Sequence, residues 1–78
     1  MITIEVYAPP ICNFDRIDKQ GNMLIDEGTT LKEVLKIIKL PLLWRKFALV
    51  RVNSDKVSRD YIMKEADVLS IFMPVTGG

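Results

Sequence analysis

The chain has 78 residues, of which 11 are basic and 10 acidic, giving a formal net charge of +1 at neutral pH. That length suits one domain near the lower limit for folding without staples, with roughly 60% of the unfolded chain's surface buried on folding. The near balance of charge argues against an electrostatic nucleic-acid binder. Cys12 is the only cysteine and there is no histidine, which excludes an internal disulfide, a structural zinc and an iron–sulfur cluster.

Hydrophobic residues make up 49% of the chain, enough for a compact core. Met1-Ile2-Thr3-Ile4-Glu5 lacks the basic-then-apolar order of a secretory signal. The longest apolar runs are far too short to cross a bilayer. The expectation is a cytoplasmic protein with no membrane and no nucleic-acid partner.

Along the chain, Ile2, Ile4, Val6 and Ala8 alternate with Thr3, Glu5 and Tyr7, the period-two pattern of a strand with one buried face. Pro9-Pro10 ends it, because proline offers no N–H to a ladder. From Ile11 to Asn22, turn formers (Asp15, Asp18, Gly21, Asn22) mix with Ile11, Phe14 and Ile17. This stretch is read as a loop with one turn of helix, leading to a second strand at Met23-Leu24-Ile25.

Thr30 and Glu33 fit a capping box. Leu31, Val34, Leu35 and Ile38 then form one apolar stripe at helical spacing. Lys36 and Lys39 stand toward the C-terminal end, where the dipole favours them, and Pro41 stops the helix. Leu42-Leu43-Trp44 is expected to cover the open end of the core. A strand is predicted over Phe47–Val52, with Val50 and Val52 facing one way and Arg51 the other. Asn53-Ser54-Asp55-Lys56 is turn chemistry, Val57-Ser58 a short extended piece, and Tyr61-Ile62-Met63 a single turn. Val68–Met73, β-branched and aromatic, is the last strand. Pro74-Val75-Thr76-Gly77-Gly78 runs off as a tail.

The order of strands and helix predicts an α+β fold, a sheet of four to five strands packed on one main helix. The first and last strands, both apolar, are expected side by side at its centre.

Catalytic sets are missing. Without histidine there is no Ser–His or Cys–His pair, and neither G-x-x-x-x-G-K-[ST] nor G-x-G-x-x-G occurs. Cys12 has no neighbouring cation in sequence to lower its pKa, so it reads as an inert thiol. No metal site and no bound cofactor are expected. What remains is the terminus. A Gly-Gly end has no side chains, so it can thread a narrow channel and place a carboxylate in another protein's active site; a frayed end is the plain alternative.

Ile71-Phe72-Met73-Pro74-Val75-Thr76-Gly77-Gly78 resembles the C-terminal signature of the molybdopterin synthase small subunits, close to F-F-P-P-V-T-G-G. Glu65-Ala66-Asp67 with Leu69 is similar to that family's D-G-D-x-V turn and strand. Val50-Arg51-Val52-Asn53 resembles the V-x-V-N strand end shared with thiamine sulfur carriers. Met73 stands in place of a proline, and Ala66 in place of a turn glycine, which predicts a right-handed turn there. The segment 9–22 does not resemble the R-E-L-x-G helix of the pterin-type subunits.

The resemblance to this MoaD/ThiS-like, ubiquitin-like family implies a β-grasp domain over 1–73 and a working tail over 74–78. It implies that Gly78 is adenylated by an E1-like partner using ATP and then converted to a thiocarboxylate. Gly77 would keep the tail slim, Pro74, Val75 and Thr76 would line the partner's channel, and Phe72 is a candidate docking residue. The implied role is that of a sulfur carrier, itself no enzyme, serving as small subunit of molybdopterin synthase beside a large subunit. A carrier for thiamine or tRNA thiolation, a ubiquitin-like modifier, or a ubiquitin-like interaction module stand as alternatives, with some other sulfur acceptor as partner.

Overall fold

The structure is a computed structural model, in which residues 1–72 are described. Seven elements follow one another: β1 (Ile2–Tyr7), β2 (Asn22–Ile25), α1 (Leu31–Ile37), α2 (Leu42–Phe47), β3 (Leu49–Val52), β4 (Asp55–Lys56) and β5 (Val68–Phe72). The five strands form one mixed sheet in the order β2-β1-β5-β3-β4. β1 and β5 run parallel at its centre, paired Glu5 to Val68, Val6 to Leu69 and Tyr7 to Ser70. All other pairings are antiparallel.

The alternation predicted for β1 is what the burial shows: Ile4 and Val6 are buried and Tyr7 is exposed. The same face of the sheet contributes Met23, Ile25, Val50, Val52, Leu69 and Ile71 to the core. Against it lies the apolar stripe of α1, with Leu31, Val34, Leu35 and Ile38 all buried.

α1 begins with the predicted capping box. The Thr30 Oγ1 accepts the Glu33 N–H, and Glu33 Oε1 accepts the Thr30 N–H at 3.0 Å. The helix ends at Ile37, four residues before Pro41. Lys39 takes a left-handed φ of 55°, and Leu40 N–H donates to the Leu35 carbonyl, the pattern of a Schellman cap.

Six expectations are corrected. Phe47 belongs to α2 rather than to a strand; Pro41, which cannot continue α1, serves as the N-cap of a new short helix. Within that helix only Trp44 packs on the core, while Leu42 and Leu43 are 77% and 64% exposed. The stretch 11–22 holds turns in place of a helical turn, with Ile17 bridging Met23; Ile62 likewise bridges Thr30 and forms no helical turn. Asp55 and Lys56 form a strand, because Asn53 and Ser54 both adopt positive φ (53° and 70°) and close a two-residue hairpin.

The sixth correction concerns Ala66, whose φ is +68° and not right-handed. Its N–H donates to the Thr3 carbonyl at 2.8 Å, and Asp67 N–H closes the turn on the Lys64 carbonyl. With Glu65 Oε1 accepting the Thr3 N–H, the turn is tied to β1 at both backbone groups of Thr3. These ties fix a left-handed third turn position that alanine adopts at a cost.

Candidate functional site

The site is the end of the sheet where β1 and β5 both finish and the chain runs on toward its last residues. Pro74, Val75, Thr76, Gly77 and Gly78, the expected tail, lie outside the described residues, as does Met73. What the structure places is the base from which they depart.

β5 is held at its start by a buried polar latch. Asp67, 5% exposed, accepts three hydrogen bonds at 2.8 Å: from Asn53 Nδ2, the Tyr61 hydroxyl and the Lys64 N–H. Asn53 also accepts the Val68 N–H through its Oδ1 and donates its own N–H to the Val68 carbonyl. Burial opposes charge on Asp67, but these hydrogen bonds and the Lys64 charge outweigh it and hold the carboxyl below the usual carboxylate range. The same burial, with the Asp67 hydrogen bond and charge, pushes the Tyr61 phenol up. Every lone pair the latch uses is matched, so the first residue of β5 is set in place.

At the other end of β5, Ile71 is buried and Phe72 is 46% exposed, which puts Phe72 on the open face. Its antiparallel partner is Leu49, itself 37% exposed. Tyr7, paired with Ser70 one position back, lies on that same face at 56% exposure. Of the expected site residues, Phe72 is therefore surface and not core, and the sheet gives it Leu49 and Tyr7 as neighbours. Neither companion was singled out from sequence. The signal was present in the odd-even phase of β1 and β3, but pairing them needs the strand register.

Between β1, β5 and α2 lies an open hollow of about 620 Å3, lined by Tyr7, Pro9, Trp44 and Phe72 among others. Among the described residues Ser70 is its only aliphatic hydroxyl, with no histidine or carboxylate lining the hollow beside it. The neighbouring Glu5 carboxylate, through its hydrogen bond and its charge, pushes the Tyr7 phenol up, so Tyr7 is a neutral amphipathic ring at neutral pH. A surface of this kind suits binding; among its described residues no group is placed to move a proton or attack a carbonyl.

Cys12 sits on the other side, buried under the turn that follows Pro9. Burial pushes its thiol up. Among the described residues no group of three or more Cys, Asp or Glu could hold a metal, and no helix is long and apolar enough to cross a membrane.

No significant match is found among curated proteins or among solved structures. The model of the ThiS family matches residues 14–78, which takes in the helix, the latch, β5 and the tail, and with the five-stranded mixed sheet on one main helix it identifies the fold as a β-grasp. The chain belongs to the ThiS family and is a sulfur carrier, not an enzyme.

Proposed function

We propose that this carrier holds sulfur as a thiocarboxylate on Gly78 and delivers it to an acceptor enzyme of thiamine biosynthesis. The observation that carries the reading is the family match itself, which runs through β5 and includes Gly77 and Gly78. It favours thiamine over the molybdopterin synthase small subunit that the V-T-G-G ending suggests. That ending, Val75-Thr76-Gly77-Gly78, is the specific feature that keeps the pterin role as a second reading.

The chemistry follows from the weakness of a carboxylate as an electrophile. The Gly78 carboxylate attacks the α-phosphorus of ATP in an E1-like partner, and pyrophosphate leaves. A sulfide-equivalent nucleophile then displaces AMP from the acyl adenylate. One carboxylate oxygen departs with AMP, and sulfur takes its place. In this proposal residues 1–73 are the handle and 74–78 the working tail. Pro74, Val75 and Thr76 line the partner's channel, and Gly77 leaves room for the carboxylate to reach the nucleotide. ATP is bound by the partner, and the setting is the cytoplasm.

Intact-protein mass spectrometry after incubation with an E1-like enzyme, ATP and a sulfur donor tests this. The expected result is a mass gain equal to sulfur replacing one oxygen, mapped to Gly78 and lost when Gly78 is deleted. Offering the product to a thiamine-type acceptor and to a large molybdopterin synthase subunit separates the two pathways. An unchanged mass with every such partner overturns the carrier chemistry.

A further inference from the structure

On the far side of β3 from β5, the sheet splits. β4 pairs only Lys56 with Arg51 and Asp55 with Val52. β3 extends two residues further, through Val50 and Leu49, which pair with Ile71 and Phe72 on the β5 side alone. Beyond Lys56 the chain diverges, and a groove of about 430 Å3 opens between residues 46–51 and 56–59.

Four of the groove's lining side chains are cationic: Lys46, Arg51, Lys56 and Arg59. Asp55 and Asp60 adjoin two of them in sequence, yet no carboxylate lines the groove among the described residues. Arg59 is half-buried and fixed, with Nη2 donating to the Arg45 carbonyl at 2.9 Å; a guanidinium carries further N–H donors, and among the described residues these take no other side-chain or backbone acceptor. Lys46 Nζ lies 5.8 Å from the centre of the Phe47 ring. Phe47, Leu49 and Val57 interleave with the cations.

We propose that this groove docks an extended acidic segment of a partner protein, laid along β3 where β4 stops. Three observations select that occupant. The stretch of β3 at Leu49 and Val50 offers strand pairing on the side that β4 leaves, the requirement for adding a strand. The charges on the walls are of one sign, so carboxylates complement them. The apolar residues between the cations contribute contact to a peptide with alternating acidic and apolar side chains, and nothing to phosphate. An oligonucleotide would need a broader basic surface than a chain of net charge +1 provides. Docking draws on residues 46–51 and 56–59 alone, so it does not depend on thiocarboxylate chemistry.

The probe is a peptide of about eight residues alternating Glu and Val, near the length of a typical strand plus its flanks, titrated into the isotope-labelled full chain while amide NMR shifts are followed. Shifts are expected at residues 48–51 and 57–59, and they should persist when Gly77 and Gly78 are deleted. The Lys46→Glu, Lys56→Glu double variant removes two exposed cations without touching the Arg59 contact, and should weaken binding about tenfold or more, with a loss that shrinks at high salt. The analogous Lys–Val peptide and inorganic phosphate should leave these amides unmoved. Absence of shifts, shifts centred on Tyr7 and Phe72, an unchanged affinity of the double variant, or equal or tighter binding of a single-stranded oligonucleotide each overturns the proposal.

Discussion

Asn53 and Asp67, 14 residues apart in sequence, meet through a 2.8 Å hydrogen bond from Nδ2 to Oδ1, and this joins the β3–β4 hairpin to the turn that launches β5. The same carboxylate takes the Tyr61 hydroxyl and the Lys64 N–H. Asp67→Ala leaves three donors without their acceptor in a nearly dry site, and should cost about 2–4 kcal/mol in urea unfolding. Asp67→Asn retains the shape and one acceptor, and should cost less than the alanine variant.

The latch also sets the sign of the pH response. The folded carboxyl of Asp67 lies below its usual value, so the charged form is the one the fold stabilises. Its contribution is present above the unfolded pKa of about 4 and is lost as pH falls through the folded value. Tyr61 is shifted up, so its contribution is complete below about pH 10 and is lost as pH rises through the folded value. Denaturant titrations at stepped pH should show wild type losing stability on the acid side more steeply than Asp67→Asn. Parallel acid limbs would show that another carboxylate controls the acid response.

Ala66 holds a left-handed φ of 68° in an exposed position. The strain for a residue with a Cβ is about 1–2 kcal/mol, whereas glycine costs roughly 0.5–1 kcal/mol more unfolded-chain entropy than alanine. The first exceeds the second, so Ala66→Gly should stabilise by about 0.5 kcal/mol, a rise in Tm of roughly 2–4 °C for a domain of this size. A lower Tm would mean that the turn relaxes around alanine at no cost.

Much of this fold is written locally. The alternation of Ile4 and Val6 with Thr3, Glu5 and Tyr7 and the Thr30–Glu33 capping box need no information beyond a few neighbouring residues, and both features stand as read. What was illegible depends on distant partners. Phe47-Ala48-Leu49-Val50 is one unbroken apolar run, and periodicity cannot divide it into the end of a six-residue helix and the start of a strand. The handedness at Ala66 comes from Thr3, on another strand. The place of Phe72 on the open face follows from the phase of β5, but its company, Leu49 and Tyr7, comes from the register of three strands. The chemistry proposed for the tail rests on resemblance and the family match, since Gly77-Gly78 carries no physical signature that separates a working end from a frayed one.

Cys12 gives a test of how well the segment before β2 is docked. The thiol is 7% exposed and shifted up by burial, and Asn13 N–H holds the segment to the Ile38 carbonyl at 2.7 Å. Alkylation in native buffer should run at least about a hundredfold slower than in denaturant, since reaction awaits a local opening. Reaction at the rate of a free thiol would mean that residues 9–22 open readily.

Phe72 separates docking from packing by magnitude. As half of an exposed cross-strand pair with Leu49, it should contribute about 0.2–1 kcal/mol to stability. A core aromatic would contribute about 3–5 kcal/mol. An aromatic anchor buried against a partner is commonly worth 2 kcal/mol or more in binding. Phe72→Ala should therefore leave the melting curve nearly in place, yet lower kcat/KM for adenylation by the E1-like partner by about tenfold or more, chiefly through KM. Loss of both stability and adenylation would assign Phe72 to the sheet. Loss of neither would move the docking surface away from this face, toward the exposed apolar residues of α2.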